Sequence, residues 1–121
     1  MGVDWGDYNA DLRPDLFVTT YQNEAKTLYS NLGKGVFADG GLDAGLAERM
    51  DRWVGFGAKF LDYDLDGLSD LLVTSGHVID NTSRIYPGTQ YRQPTQLFHN
   101  TGGDFEEVTG KLGPRARKEL V

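Results

Sequence analysis

The chain has 121 residues, a formal net charge of −6, 39% hydrophobic and 25% charged residues, and no cysteine. That length holds one modest domain of ordinary globular composition, and its acidity disfavours nucleic acid and anionic membrane surfaces, which are bound through lysine and arginine. Disulfides, thiol catalysis and Cys-type zinc sites are excluded; no apolar stretch approaches the ~18 residues of a membrane span, and Met1 to Trp5 lacks the basic and apolar regions of a signal peptide.

The first predicted element is a strand over Val3-Asp4-Trp5-Gly6, followed by the acidic stretch DYNADLRPD, 7–15. Leu16 to Thr20 reads as a short strand, apolar continuously and so expected to be covered on both faces. Thr27-Leu28-Tyr29-Ser30, like Gln96-Leu97-Phe98-His99 later in the chain, alternates better and reads as nearer a sheet edge. Asn31 to Gly35 is a hairpin turn, and Val36-Phe37-Ala38 closes the unit. These elements make a first unit over 1–42.

From Asp43 to Trp53 two readings stand side by side. Leu42, Leu46, Met50 and Trp53 have roughly helical spacing with Asp43 as an N-cap, weakened by Gly45; the alternative is a linker, 43–54. A second unit then spans 55–110. Ala58-Lys59-Phe60-Leu61 precedes a second acidic stretch, DYDLDGLSD at 62–70, and Leu71-Leu72-Val73-Thr74 follows as a strand. After a long insertion, 76–95, come a strand over Gln96 to His99, a turn at Asn100 to Gly103 and a closing strand at Phe105 to Val108. The segment 111–121 is expected to be a frayed tail.

The two units are copies. Shifting the chain by 55 residues lays DYNADLRPDLFVTT, 7–20, over DYDLDGLSDLLVTS, 62–75. LYSNLGKGVF at 28–37 then echoes LFHNTGGDF at 97–105.

In both loops side-chain oxygens fall at positions 1, 3, 5 and 9, which suits a hard cation. Calcium takes ~6 to 8 oxygen ligands at 2.3 to 2.6 Å. The expected ligands are Asp7, Asn9, Asp11, the carbonyl of Arg13 and Asp15 in the first loop. In the second they are Asp62, Asp64, Asp66, the carbonyl of Leu68 and Asp70. Position 6 needs a positive φ for the sharp turn; Gly67 supplies it freely, whereas Leu12 is strained there by about 1 to 2 kcal/mol. Without an ion, carboxylates 4 Å apart repel by about 4 kcal/mol at an effective dielectric near 20. An EF-hand is excluded because its twelfth position, a bidentate glutamate, is Val18 in one loop and Val73 in the other.

The pattern D-x-[DN]-x-D-x-x-x-D before an apolar strand, then Asn-x-Gly and Phe, resembles the FG-GAP or VCBS-type repeats of integrin-alpha-like β-propellers. GFGAKFLDYDLDGLSDLLVTSG at 55–76 is a close match, and GVDWGDYNADLRPDLFVTT at 2–20 resembles the bacterial branch, including relatives of cartilage acidic protein. Lys59 replaces the family's proline and Leu12 its loop glycine. The resemblance implies an all-β fold of two four-stranded antiparallel propeller blades, two structural calcium ions, and a non-catalytic protein-interaction or adhesion scaffold in extracellular or periplasmic proteins. Propellers need ~4 to 8 blades, so two blades are expected to be completed by homo-oligomerisation or by further blades of a larger protein, with a protein or carbohydrate as ligand. The alternative is a fragment of a propeller-borne hydrolase or lyase.

Other residues carry weaker expectations. Ser75, His77 and Asp80 are close in sequence, but a triad is defined by geometry. His99 reads as a sheet residue rather than a ligand. Tyr86, Pro87, Tyr91, Arg84 and Arg92 make Asn81 to Gln93 a candidate recognition loop, and Trp5 and Trp53 are expected in the core or between blades.

Overall fold

A computed structural model of the chain describes residues 1–114. The first sheet is antiparallel, with β1 (Val3–Gly6), β2 (Asp15–Val18), β3 (Thr27–Gly33) and β4 (Val36–Asp39) in that order. After a one-turn helix α1 (Ala47–Met50), a second sheet repeats the order with β5 (Gly55–Leu61), β6 (Asp70–Ser75), β7 (Gln96–Asn100) and β8 (Phe105–Glu107). The insertion between β6 and β7 contains a second short helix, α2 (Thr82–Ile85). The fold is thus all-β, two four-stranded blades. No helix among the described residues is long and apolar enough to cross a membrane.

The blades pack face to face around one core. Phe17 and Leu28 of the first sheet meet Phe60, Leu71, Val73 and Phe98 of the second, and Ala44, Leu46 and Met50 of the connection close the cluster. Each fully buried large apolar side chain contributes about 1.5 to 3 kcal/mol. Backbone approaches to within what only glycine allows: a Cβ on Gly2 would lie 2.6 Å from the Phe56 carbonyl oxygen, and one on Gly6 would strike the Phe60 ring. Polar bonds fix the register between sheets. Asp4 Oδ2 accepts from the Phe60 amide at 2.8 Å and pairs with Lys59 Nζ at 3.2 Å.

Several local expectations are corrected. β2 and β6 are covered in alternation, with Leu16, Val18, Leu72 and Thr74 only half-buried, because each sheet has one face against the other blade and one away from it. β3 and β7 lie third of four and are interior strands, so their alternation reflects unequal faces and not an edge. β3 runs on to Gly33, and the turn narrows to Lys34 and Gly35, both at positive φ, with a bulge between Asn31 and Gly33. The 43–54 segment contains turns and a helix of four residues. Asp43 does not cap it: the N-cap is Leu46, and Gly45, at φ +77°, delays the helix past that point. Thr109–Leu112 forms a 3-10 turn, so the start of the expected frayed segment is ordered; 115–121 lies outside the described residues.

Lys26 is buried, with 1% of its surface exposed. Its ammonium donates to the Tyr21 carbonyl at 3.1 Å and to the Trp53 carbonyl, bridging the first blade to the connection. Burial lowers its pKa from 10.5 to about 8, against the opposing pull of Asp51 and Glu24. Between those two values the unfolded chain holds the proton and the folded chain does not, so stability rises with pH. At one pKa unit per 1.36 kcal/mol the full effect is about 3 kcal/mol. Urea unfolding from pH 7.5 to 10.5 is expected to show the wild type gaining on Lys26→Met by up to about 3 kcal/mol; a constant difference across that range would refute a depressed lysine.

Candidate metal centres

Each acidic loop joins the first two strands of its blade, β1 to β2 or β5 to β6, and both fold identically in detail. The first carboxylate receives two amides from across the loop. Asp7 accepts from Asp11 and Leu12 at 3.1 and 2.9 Å; Asp62 accepts from Asp66 and Gly67 at 3.1 and 2.8 Å. The fifth carboxylate receives the amide two residues on, Arg13 onto Asp11 and Leu68 onto Asp66, each at 2.9 Å. Asn9 and Asp64, at the third position, accept from the amides of Asp11 and Asp66 at 3.2 and 3.3 Å.

These bonds demand a tightly wound backbone. Position 6 has positive φ in both loops, +65° at Leu12 and +89° at Gly67. The leucine therefore adopts the strained conformation, and the two loops bend alike. A second positive φ occurs at position 4, Ala10 and Leu65, which the sequence reading missed. Leu12 and Leu65 point outward, 93% and 87% exposed.

The ninth residues are the anchors. Asp15 and Asp70 are fully buried at the start of β2 and β6. Asp15 accepts from Tyr8 at 3.2 Å and Asn31 at 2.7 Å; Asp70 accepts from Tyr63 at 3.1 Å and Asn100 at 2.8 Å. Asn31 and Asn100, read from sequence only as turn formers, complete the frame by donating to the carbonyls of Pro14 and Ser69.

The structure brings Asp7, Asp11 and Asp15 together, with ligand oxygens all within 4.8 Å of one another, and likewise Asp62, Asp64, Asp66 and Asp70. Two oxygens bound to one calcium at up to 2.6 Å lie within about 5.2 Å of each other, so both donor sets fit one ion. Arg13 and Leu68 sit in the loops at the expected seventh position.

The two clusters differ in their basic neighbour. Arg13 donates to Asp11 Oδ2 at 2.7 Å and to the Asn31 carbonyl at 2.8 Å. In the second loop that role falls to His99, which stands in β7 as expected but also turns its ring onto the carboxylates. Its Nδ1 lies 3.0 Å from Asp70 and 3.5 Å from Asp64, and its Nε2 3.8 Å from Asp66. The register of β6 and β7 brings this about: Leu71 pairs with Phe98, which sets His99 beside Asp70 on the neighbouring strand.

Burial, the largest influence, pushes the Asp15 carboxyl up, with its amide partners Asn31 and Tyr8 opposing. Burial also raises Asp64, helped by the charges of Asp66 and Asp70. Asp62 is lowered, because the amides of Gly67 and Asp66 outweigh desolvation. Each loop thus holds carboxylates at some electrostatic cost, which a bound cation would relieve.

The sequence pattern of the FG-GAP-like repeat family matches residues 7–73, more than half the chain, from the first loop to the strand after the second. The chain belongs to the FG-GAP-like repeat family. No curated protein matches it. Within the FG-GAP-like frame the two acidic loops are clusters able to hold a metal ion.

Two of the residues close in sequence, Ser75 and His77, have distinct surroundings. His77 accepts the Ile79 amide at Nδ1, 3.1 Å, which leaves Nε2–H to donate to the Tyr21 hydroxyl at 3.1 Å. Ser75 Oγ is buried without a hydrogen-bond partner among the described residues.

Asp70→Ala would strip the Tyr63 and Asn100 amides of their acceptor. An unsatisfied buried group costs about 1 to 3 kcal/mol, so a loss of about 3 kcal/mol is expected in chelator-treated protein by urea unfolding. A loss below about 1 kcal/mol would mean that the anchor is not structural.

Proposed function

We propose that the chain is a non-catalytic, calcium-stabilised repeat module whose blades form part of a β-propeller-type interaction or adhesion scaffold. One observation carries the reading: two loops, each gathering at least three carboxylates within reach of one ion, held by the same set of backbone bonds. An all-oxygen donor set of this kind favours calcium over softer metals, and over magnesium, which keeps several waters. The ligands are Asp7, Asn9, Asp11, the Arg13 carbonyl and Asp15 in one loop, and Asp62, Asp64, Asp66, the Leu68 carbonyl and Asp70 in the other. The ion's part is to cross-link the loop to the strands on either side of it. The exposed Ile85, Tyr86 and Tyr91 of the insertion supply a surface for a protein or carbohydrate partner.

The loops are not equal. The second offers four carboxylates, whereas the first has Asn9 in place of one and the Arg13 guanidinium on another. Ligand charge tunes calcium affinity. Calorimetric titration of chelator-treated protein is expected to give two sites, the tighter abolished by Asp66→Ala and the weaker strengthened about tenfold by Arg13→Ala. Saturating calcium at 100 times Kd is expected to add about 2.7 kcal/mol of stability per site. No heat of binding and an unchanged melting temperature in EDTA would reject the calcium reading.

A further inference from the structure

The blades are built alike, yet only one of two equivalent faces is covered. In the second blade Ala58, Phe60, Leu71, Val73, Phe98 and Phe105 face the first blade; all but the partly buried Ala58 are at most 7% exposed. The repeat maps these six onto Val3, Trp5, Leu16, Val18, Tyr29 and Phe37. Pairing of Val3 with Val18, Trp5 with Leu16, Leu16 with Tyr29 and Asn31 with Phe37 puts them on one face of the first sheet. There Val3 is 58% exposed, Trp5 53%, Phe37 40% and Tyr29 37%. Trp5 and Phe37 reach toward each other across that face, edge-on at 6.2 Å. Trp5 is therefore not in the core or between these two blades, as expected from sequence; it stands on an apolar face that neither blade of the chain covers.

The chain itself shows what covers such a face. On the second blade it is the inner face of the preceding blade, Phe17 and Leu28, with the loop residue Tyr8. Tyr8 stacks on Phe105 at 6.1 Å, and its carbonyl accepts from Asn100 Nδ2. On the open face Phe37 stands where Phe105 does. Asn31 Nδ2 makes the bond to Pro14 that Asn100 makes to Ser69, but has no counterpart of the bond to Tyr8 among the described residues.

The complement is also present, on the far side of the second blade. Tyr63 and Leu72, equivalents of Tyr8 and Phe17, are both half-buried there beside half-buried Thr74, while Leu97, the equivalent of Leu28, is already covered next to the Thr109–Leu112 turn. The Tyr63 side chain is held by its hydroxyl to Lys111 at 3.3 Å and by its ring, edge-on to His99. We propose that the outer face of the first blade binds the far face of the second blade of another copy, head to tail, with Tyr63 stacked on Phe37 and its carbonyl on Asn31 Nδ2. The two halves of this joint are different patches, so each copy can both give and receive, and the joint repeats until a ring closes. Two to four copies give the four to eight blades of closed propellers. The inference rests on the reading of the chain as a blade module and is independent of calcium.

The test is mass by light scattering on the full chain, in calcium and in EDTA. Wild type is expected at two to four times the single-chain mass in at least one of them. Trp5→Glu and Leu72→Glu, each spoiling one half, are expected at the single-chain mass, and mixing them is expected to restore a two-chain species through the intact halves. Tyr63→Ala replaces Leu72→Glu in both arms if circular dichroism shows that the latter unfolds. A single-chain wild type in both conditions overturns the proposal, as does a far-face variant that assembles like wild type, or folded variants that fail to pair on mixing. Calcium heats on the same samples report separately on the loops.

Discussion

A carboxylate buried at the root of each loop holds the rest in place. Asp15 and Asp70 begin β2 and β6 with no exposure, and each gathers the amide at the start of its loop and an amide from the third strand of its blade. An ionised group taken out of water survives only when its oxygens are met by donors. Here those donors come from two stretches of chain besides the carboxylate's own, so satisfying the charge is the same act as fixing the loop, the hairpin turn and the strand pairing. The remaining loop carboxylates are then oriented by backbone amides, and their convergence follows.

From that constraint comes the near-identity of the two loops despite different residues at their tips. Leu12 and Gly67 have unequal conformational costs, yet both adopt the positive φ that lets the amide reach the first carboxylate. The bonds made by Asp7 and Asp15 outweigh the roughly 1 to 2 kcal/mol of strain in the leucine. The differences that matter for a cation lie elsewhere, in Arg13 and His99, one a fixed positive charge and the other an imidazole supplied from β7.

Much of this was legible in the chain, because the repeat shows it twice. The 55-residue offset fixes the loops, the order of strands and the two-blade fold, and the alternation of carboxylates marks the clustered oxygens. Context defeated the rest. Nothing local in Asn31 or Asn100 distinguishes a turn former from a residue that donates to a carbonyl beside the loop. The half-exposure of Leu16 and Val18 depends on which sheet face meets the other blade, a tertiary fact that overrides the apolar run. Trp5 reads as core because it is large and aromatic; it stands on the open face because its counterpart Phe60 has a blade above it and Trp5 does not.

The buried ammonium of Lys26 means that the two sheets are joined by more than the covalent thread between them. It ties the Tyr21 carbonyl, in the loop between β2 and β3, to the Trp53 carbonyl at the far end of that thread, while Leu42 and Asp43 near its start lie on the surface. The apolar contact between sheets and the bonds from Asp4 and Asn100 do not pass through those surface residues. A protease that nicks the backbone there would find the halves still clasped, so peptide continuity and blade adhesion are separable properties of this molecule.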